Sequence, residues 1–147
     1  MKGLVCKVCG YVALDNNKSE CPVCHANVFE ERNDAYKTFS SNNAVLDESE
    51  KKHIPAFTVV NECGLIPGTG CVDVHVKIGE ITHPSLPQHY INEITFYINN
   101  KFAAYVVLTP DINPAAVIHL KGYTKGKVQV IEKCSVHGRW FNEVEIK

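Results

Sequence analysis

Two cysteine pairs near the start constrain this chain more than any other feature. Cys6-Lys7-Val8-Cys9-Gly10-Tyr11 and Cys21-Pro22-Val23-Cys24 lie within the first 32 residues, with eleven residues between the pairs. A segment that short cannot enclose an apolar core, so a metal has to hold it together. In each Cys-x2-Cys loop both thiolates can reach one ion while backbone N–H groups point at the sulfurs. Gly10 after the first pair and Pro22 within the second favour such turns. The spacing predicts a tetrahedral site made by Cys6, Cys9, Cys21 and Cys24. Zinc and iron both accept four thiolates, so spacing leaves the metal open. His25 directly follows a completed ligand set and is read as a surface residue.

The 147-residue chain as a whole has the composition of a soluble globular protein, with 45% apolar and 21% charged residues. A formal net charge of −1 gives no reason to expect a nucleic-acid partner. The N-terminus runs straight into a cysteine motif without the apolar stretch of a signal peptide, and no apolar run approaches the roughly 18 residues of a membrane span. A cytoplasmic location without membrane contact is expected, and there the seven cysteines are expected to be ligands or free thiols.

The expected organisation is a four-cysteine metal module over 1–32, a polar linker over 33–52 with a short helical turn, and a β domain over 53–147. In the last of these the hydrophobic period becomes two. Val72, Val74, Val76 and Ile78 alternate with Asp73, His75 and Lys77; Ile94, Phe96 and Ile98 alternate with Thr95, Tyr97 and Asn99. Further strands are predicted over 56–62, 102–108, 115–120, 126–133 and 140–146. Seven short strands with turn signals between them predict a mainly β protein whose larger part is an antiparallel sandwich.

A second metal site is written into that domain. Cys134-Ser135-Val136-His137 puts a thiolate and an imidazole three residues apart. His53, His83 and His89 stand upstream in distinctive settings. One thiolate with several neutral imidazoles suits a redox-active iron or copper better than structural zinc, which usually takes two to four thiolates. His75 is expected to face solvent, and His119 to be a strand residue with a local hydrogen bond. Asn61 to Cys71 reads as an inserted loop. Cys63 and Cys71 could meet at its base as a disulfide, but a reducing compartment favours two thiols.

Two resemblances extend this reading. Cys6-x2-Cys9-Gly10-Tyr11, then Cys21-Pro22-x-Cys24-x-Ala26 and Phe29-Glu30, resemble the rubredoxin-type knuckle of rubrerythrins. That implies a one-electron iron centre, with a zinc ribbon as the alternative. The ordered set Lys52-His53-Ile54-Pro55, Gly79-Glu80-Ile81-Thr82-His83-Pro84, His89-Tyr90-Ile91 and Cys134-x2-His137-Gly138-x-Trp140 resembles the superoxide reductase family. Its members are called neelaredoxins or, with an added N-terminal iron module, desulfoferrodoxins. The match covers residues 52 to about 142.

The second resemblance implies an immunoglobulin-like antiparallel β-sandwich carrying a mononuclear iron, with His53, His83, His89 and His137 as equatorial ligands and Cys134 as the axial one. The sixth position would be open to substrate, with Lys52 beside it. The implied reaction is one-electron reduction of superoxide to hydrogen peroxide. Electrons would be relayed by the N-terminal iron from an external donor such as a rubredoxin or a reductase, and a homodimer or homotetramer is implied. A non-enzymatic iron electron-transfer protein, and superoxide dismutation at the same iron, are the alternatives. Two departures stand out. The family's Glu-Lys-His becomes Glu50-Lys51-Lys52-His53, displacing the glutamate by one residue. The second cysteine pair is spaced, where desulfoferrodoxins have adjacent cysteines.

Overall fold

The computed structural model describes residues 1–39, 46–66, 68 and 70–147. The N-terminal knuckle is a small antiparallel sheet of β1 (Gly3–Cys6), β2 (Val12–Ala13) and β3 (Phe29–Arg32), in the order β2-β1-β3. A single turn-and-a-half helix, α1 (Glu48–His53), precedes the sandwich. Asp47 caps it, its side chain accepting from the Glu50 N–H, while the Glu50 carboxylate accepts from the Asp47 N–H. This capping box explains why so short a segment is helical at all.

Seven strands follow: β4 (Pro55–Val60), β5 (Cys71–Ile78), β6 (Ile91–Ile98), β7 (Lys101–Val107), β8 (Ala115–Lys121), β9 (Gly126–Cys134) and β10 (Gly138–Ile146). They form two antiparallel sheets, β10-β9-β6-β7 and β4-β5-β8. The seven strands read from alternation are all present, so the mainly β architecture is the expected one. Alternate residues Val72, Val74, Val76 and Ile78 meet Ile94, Phe96, Val128 and Val130 between the sheets. The side chain of Asn142 donates to the Pro55 carbonyl and ties β10 to β4 across one edge.

Period two predicts a solvated outer face, yet β6 and β9 are buried on both sides. The reason is the knuckle. Leu4, Val5, Cys6, Tyr11, Val12 and Cys21 form a second apolar cluster with Tyr97 and Ile131, which point outward from the larger sheet. The Tyr97 hydroxyl donates to the Val12 carbonyl at 2.6 Å. Tyr11 packs against both Tyr97 and Phe102.

Part of the 33–52 segment is docked as well. Lys37 N–H donates to the Arg139 carbonyl, and Phe141 N–H donates to the Lys37 carbonyl. Tyr36 packs on Phe141. The expected helical turn is α1, and residues 40–45 of the segment lie outside the described residues. Among the described residues no helix is long and apolar enough to cross a membrane.

Candidate metal centres

The four N-terminal cysteines converge as their spacing predicts. Cys6 and Cys24 sulfurs are 3.6 Å apart, and those of Cys9 and Cys21 are 3.5 Å apart. The two loops have matching geometry. Gly10 N–H donates to the Cys6 carbonyl and His25 N–H to the Cys21 carbonyl, with left-handed φ of 83° at Gly10 and 67° at His25. Gly10 needs that freedom for a second reason: a side chain there would run into the guanidinium of Arg139. Burial opposes ionisation of Cys6, but the N–H groups of Cys9 and Val8 bring its thiol down to about 7. Burial pushes the Cys9 and Cys21 thiols up. Four thiolates so close together need a cation between them.

The second site is assembled at one end of the sandwich. His53 is the last residue of α1, and His83 and His89 lie between β5 and β6. Cys134 ends β9 and His137 sits in the turn into β10. The four imidazoles form a closed ring. Neighbouring centroids are 4.9 Å apart for His53–His83, 4.6 Å for His83–His89, 5.1 Å for His89–His137 and 4.9 Å for His137–His53. Each neighbour is steeply inclined, by 67° to 85°. The Cys134 sulfur lies 3.4 Å from His83 Nε2 and 3.7 Å from His137 Nδ1. Ligand atoms of His53, His83, His89 and Cys134 all fall within 4.8 Å of one another. The structure therefore brings together all five residues singled out from sequence.

The outer nitrogens are held by the backbone. His53 Nδ1 donates to the Ser49 carbonyl at 2.8 Å and His83 Nδ1 donates to the Pro84 carbonyl at 2.8 Å. Each bond fixes a tautomer with Nε2 unprotonated, the form a metal requires. His53 Nε2 and His89 Nε2 are buried with no hydrogen-bond partner among the described residues. Such atoms are costly unless something binds them. Burial lowers His53, and lowers His83 to about 4, so these rings are neutral at physiological pH. Burial raises the Cys134 thiol, opposed by the N–H groups of Val136 and His137. A cation supplies the reason to lose that proton. The donor set of four imidazoles and one sulfur fits a mononuclear transition metal.

The neighbours add detail. Lys52 is exposed on the last turn of α1. Glu50, expected to be displaced from the family position, is buried and its Oε1 serves the helix cap. Sequence reading missed Lys37, which projects from the docked segment. Its ammonium lies 3.4 Å from the His137 carbonyl oxygen and 5.1 Å from the centre of the Trp140 ring. No local pattern marks that lysine, since its position depends on pairing with β10. Gly79 is the other missed residue. A Cβ there would meet the Lys51 carbonyl oxygen at 2.6 Å and that of Ile54 at 2.9 Å. Only glycine lets the end of β5 approach the turn that carries His53.

Comparison with known proteins identifies the family. The desulfoferrodoxin family matches residues 45–143. The chain is 31% identical over 112 residues to the superoxide reductase of Pyrococcus horikoshii, an alignment covering 69% of this chain and 92% of that protein. It is 27% identical over 137 residues to the desulfoferrodoxin of Desulfarculus baarsii, covering 92% of this chain and 90% of that one. The crystal structure of the superoxide reductase from Treponema pallidum superposes with a TM-score of 0.58 at 21% identity, covering 95% of this chain and 98% of that one, which is a likeness of fold.

Proposed function

This chain belongs to the desulfoferrodoxin family, and on that premise we propose that it is a superoxide reductase whose reactive centre is an iron held by His53, His83, His89, His137 and Cys134. The overall conversion takes one superoxide, one electron and two protons to one hydrogen peroxide. Bound iron(II) would supply the electron. The observation that carries the reading is the pair of buried, unpartnered nitrogens His53 Nε2 and His89 Nε2 in a ring of imidazoles beside a cysteine sulfur.

The residues have distinct tasks. Neutral histidines and one thiolate leave a divalent ion with a net positive charge, and Lys52 adds another, so a small anion is drawn in. Lys52, exposed on the last turn of α1, would also be a source of one of the two protons that the product requires. The Cys134 thiolate would donate electron density to a bound iron and tune its potential. Trp140 lies against His53 and keeps water from that side of the ligand ring.

The four-cysteine site is read as a rubredoxin-like iron that passes electrons inward from an external donor such as a rubredoxin or a reductase. A cytoplasmic homodimer or homotetramer is the matching assembly. Residues 1–32, 33–52 and 53–147 serve as electron module, connecting segment and reductase domain. Arg139 supports this division of labour. It touches Gly10, next to Cys9, and lies two residues beyond His137.

The test is stoichiometric. Iron-loaded protein, reduced anaerobically, is mixed with superoxide while hydrogen peroxide and dioxygen are both measured. One peroxide per superoxide, no dioxygen and one electron lost from the protein are expected. Dioxygen release without consumption of reductant would establish dismutation instead.

A further inference from the structure

A third cluster of ligand-type side chains lies on the outer face of the smaller sheet, away from both centres described above. Cys63 and Cys71 flank the inserted loop between β4 and β5, and their backbones are joined by the Cys63 N–H to Cys71 carbonyl bond of 3.1 Å. Asp73 on β5 and His119 on β8 are directly opposed in the antiparallel ladder. Alternation turns both side chains outward, because Val72, Val74 and Leu120 occupy the core face. The loop therefore delivers two sulfurs to a carboxylate and an imidazole that the sheet already places together.

The four groups converge on one point. His119 Nδ1 lies 3.3 Å from Cys63 Sγ, 3.6 Å from Cys71 Sγ and 2.6 Å from Asp73 Oδ1. Cys71 Sγ is 3.5 Å from the same carboxylate oxygen. One ligand atom from each residue falls within 4.8 Å of the others, as is also true of the four N-terminal cysteines and of His53, His83, His89 and Cys134. Bonds of about 2.3 Å to sulfur and about 2.0 Å to nitrogen or oxygen put tetrahedral ligand atoms roughly 3.3–3.8 Å apart. All three sulfur separations fit that range, and they match the 3.5 and 3.6 Å of the four-cysteine site. The Asp73–His119 pair is closer, being hydrogen-bonded, and it would open slightly.

We propose that Cys63, Cys71, Asp73 and His119 form a third metal site, taking a zinc-type divalent cation in a closed tetrahedral N/O/S₂ shell. The two cysteines stay reduced within it. Binding displaces both thiol protons, and the proton between Asp73 and His119 Nδ1 passes to His119 Nε2 as Nδ1 becomes a ligand. Four protein ligands leave no open position, so the site is structural. Its effect is to pin the inserted loop to β5 and β8. The loop is already set down there, with the Gly122 N–H donating to the Gly70 carbonyl at 3.1 Å. His75 Nε2 stands 3.9 Å from the other Asp73 oxygen.

The ligand set also accounts for the ionisation pattern. Burial raises Cys71 to about 12, with Cys63 and Asp73 adding to the effect. Asp73 is held below the usual carboxylate range despite burial, by bonds from Cys63, His119 and Cys71. Three donors on one carboxylate is the arrangement that a single cation replaces.

The site is tested on the full chain with both iron centres loaded. Zinc chloride is added anaerobically with a thiol-free reductant, unbound metal is removed by gel filtration, and iron and zinc are counted per chain. About one zinc is expected in addition to undiminished iron. Cys63→Ser and His119→Ala are each expected to lose that zinc and keep the iron, which also verifies that they fold. No zinc retained by the unaltered protein overturns the proposal. So does zinc that persists in both variants, or that appears only as iron is lost. Formation of a Cys63–Cys71 disulfide in the presence of reductant and zinc, read by thiol titration, overturns it as well. None of these outcomes bears on whether the five-ligand iron reduces superoxide.

Discussion

The indole of Trp140 lies flat on the imidazole of His53, with centroids 4.8 Å apart and planes inclined by 17°. The same side chain donates its Nε1–H to the His137 carbonyl at 3.2 Å. One buried residue thus braces two ligands that come from opposite ends of the domain. Trp140→Ala is expected to cost about 3–5 kcal/mol of stability and to release iron faster to a chelator. Trp140→Phe keeps a stacking face and loses one hydrogen bond, so about 1 kcal/mol is expected. Denaturant titration of the iron-loaded forms measures both.

The sulfur makes a separable contribution. Cys134→Ser is expected to abolish the thiolate-to-iron(III) absorption band. An unchanged visible spectrum at full iron occupancy would remove Cys134 from the ligand set.

Lys52 is expected to act through its charge. Lys52→Ala should lower the bimolecular rate with superoxide and flatten its dependence on ionic strength, with iron content unchanged. An exposed ammonium attracts an anion most strongly at low salt. Pulse radiolysis across a salt series reads this directly. Lys52→Arg should recover most of the salt dependence.

Gly79 supports the site through a close backbone approach. Gly79→Ala puts a methyl group against the carbonyls of Lys51 and Ile54, and the helix turn carrying His53 has to shift. Overpacking of this kind is expected to cost about 1–3 kcal/mol. A matching fall in iron affinity would separate this effect from a general loss of stability, which a control at a distant core position supplies.

Glu132 gives the stability of the protein a pH dependence. It is fully buried beside the ligand-bearing end of β9, and neither carboxylate oxygen has a hydrogen-bond partner among the described residues. Burial raises its folded-state pKa well above the ordinary value of 4.5. The folded protein then binds the proton more tightly than the unfolded chain. Stability from this group is full below the unfolded value and falls as pH rises above it. Glu132→Gln should remove that fall. The variant's advantage is expected to grow from about pH 4.5 upward by at most roughly 1.4 kcal/mol per pH unit. Denaturation midpoints between pH 5 and 8 provide the check.

Much of this protein was legible in advance because two local rules hold well. Period-two alternation marked the sandwich strands, and ligand-type residues with characteristic neighbours marked the two clusters that converge at the knuckle and at the end of the sandwich. The features that escaped depend on register between distant segments. Asp73 and His119 look like ordinary outward residues until β5 and β8 are paired. Lys37 sits in a polar stretch and gains meaning only beside β10. Tyr97 occupies what alternation marks as a solvent-facing position, and its burial depends on another module arriving on top of it.

The bond from the Tyr97 hydroxyl to Val12 has a consequence for how the molecule comes apart. Tyr97 is rooted in the main sheet, so an emptied knuckle could not simply swing away on a tether. Its departure would uncover a greasy wall running from Tyr97 to Ile131. Loss of the first metal should therefore make the polypeptide prone to aggregate before its catalytic chemistry fails.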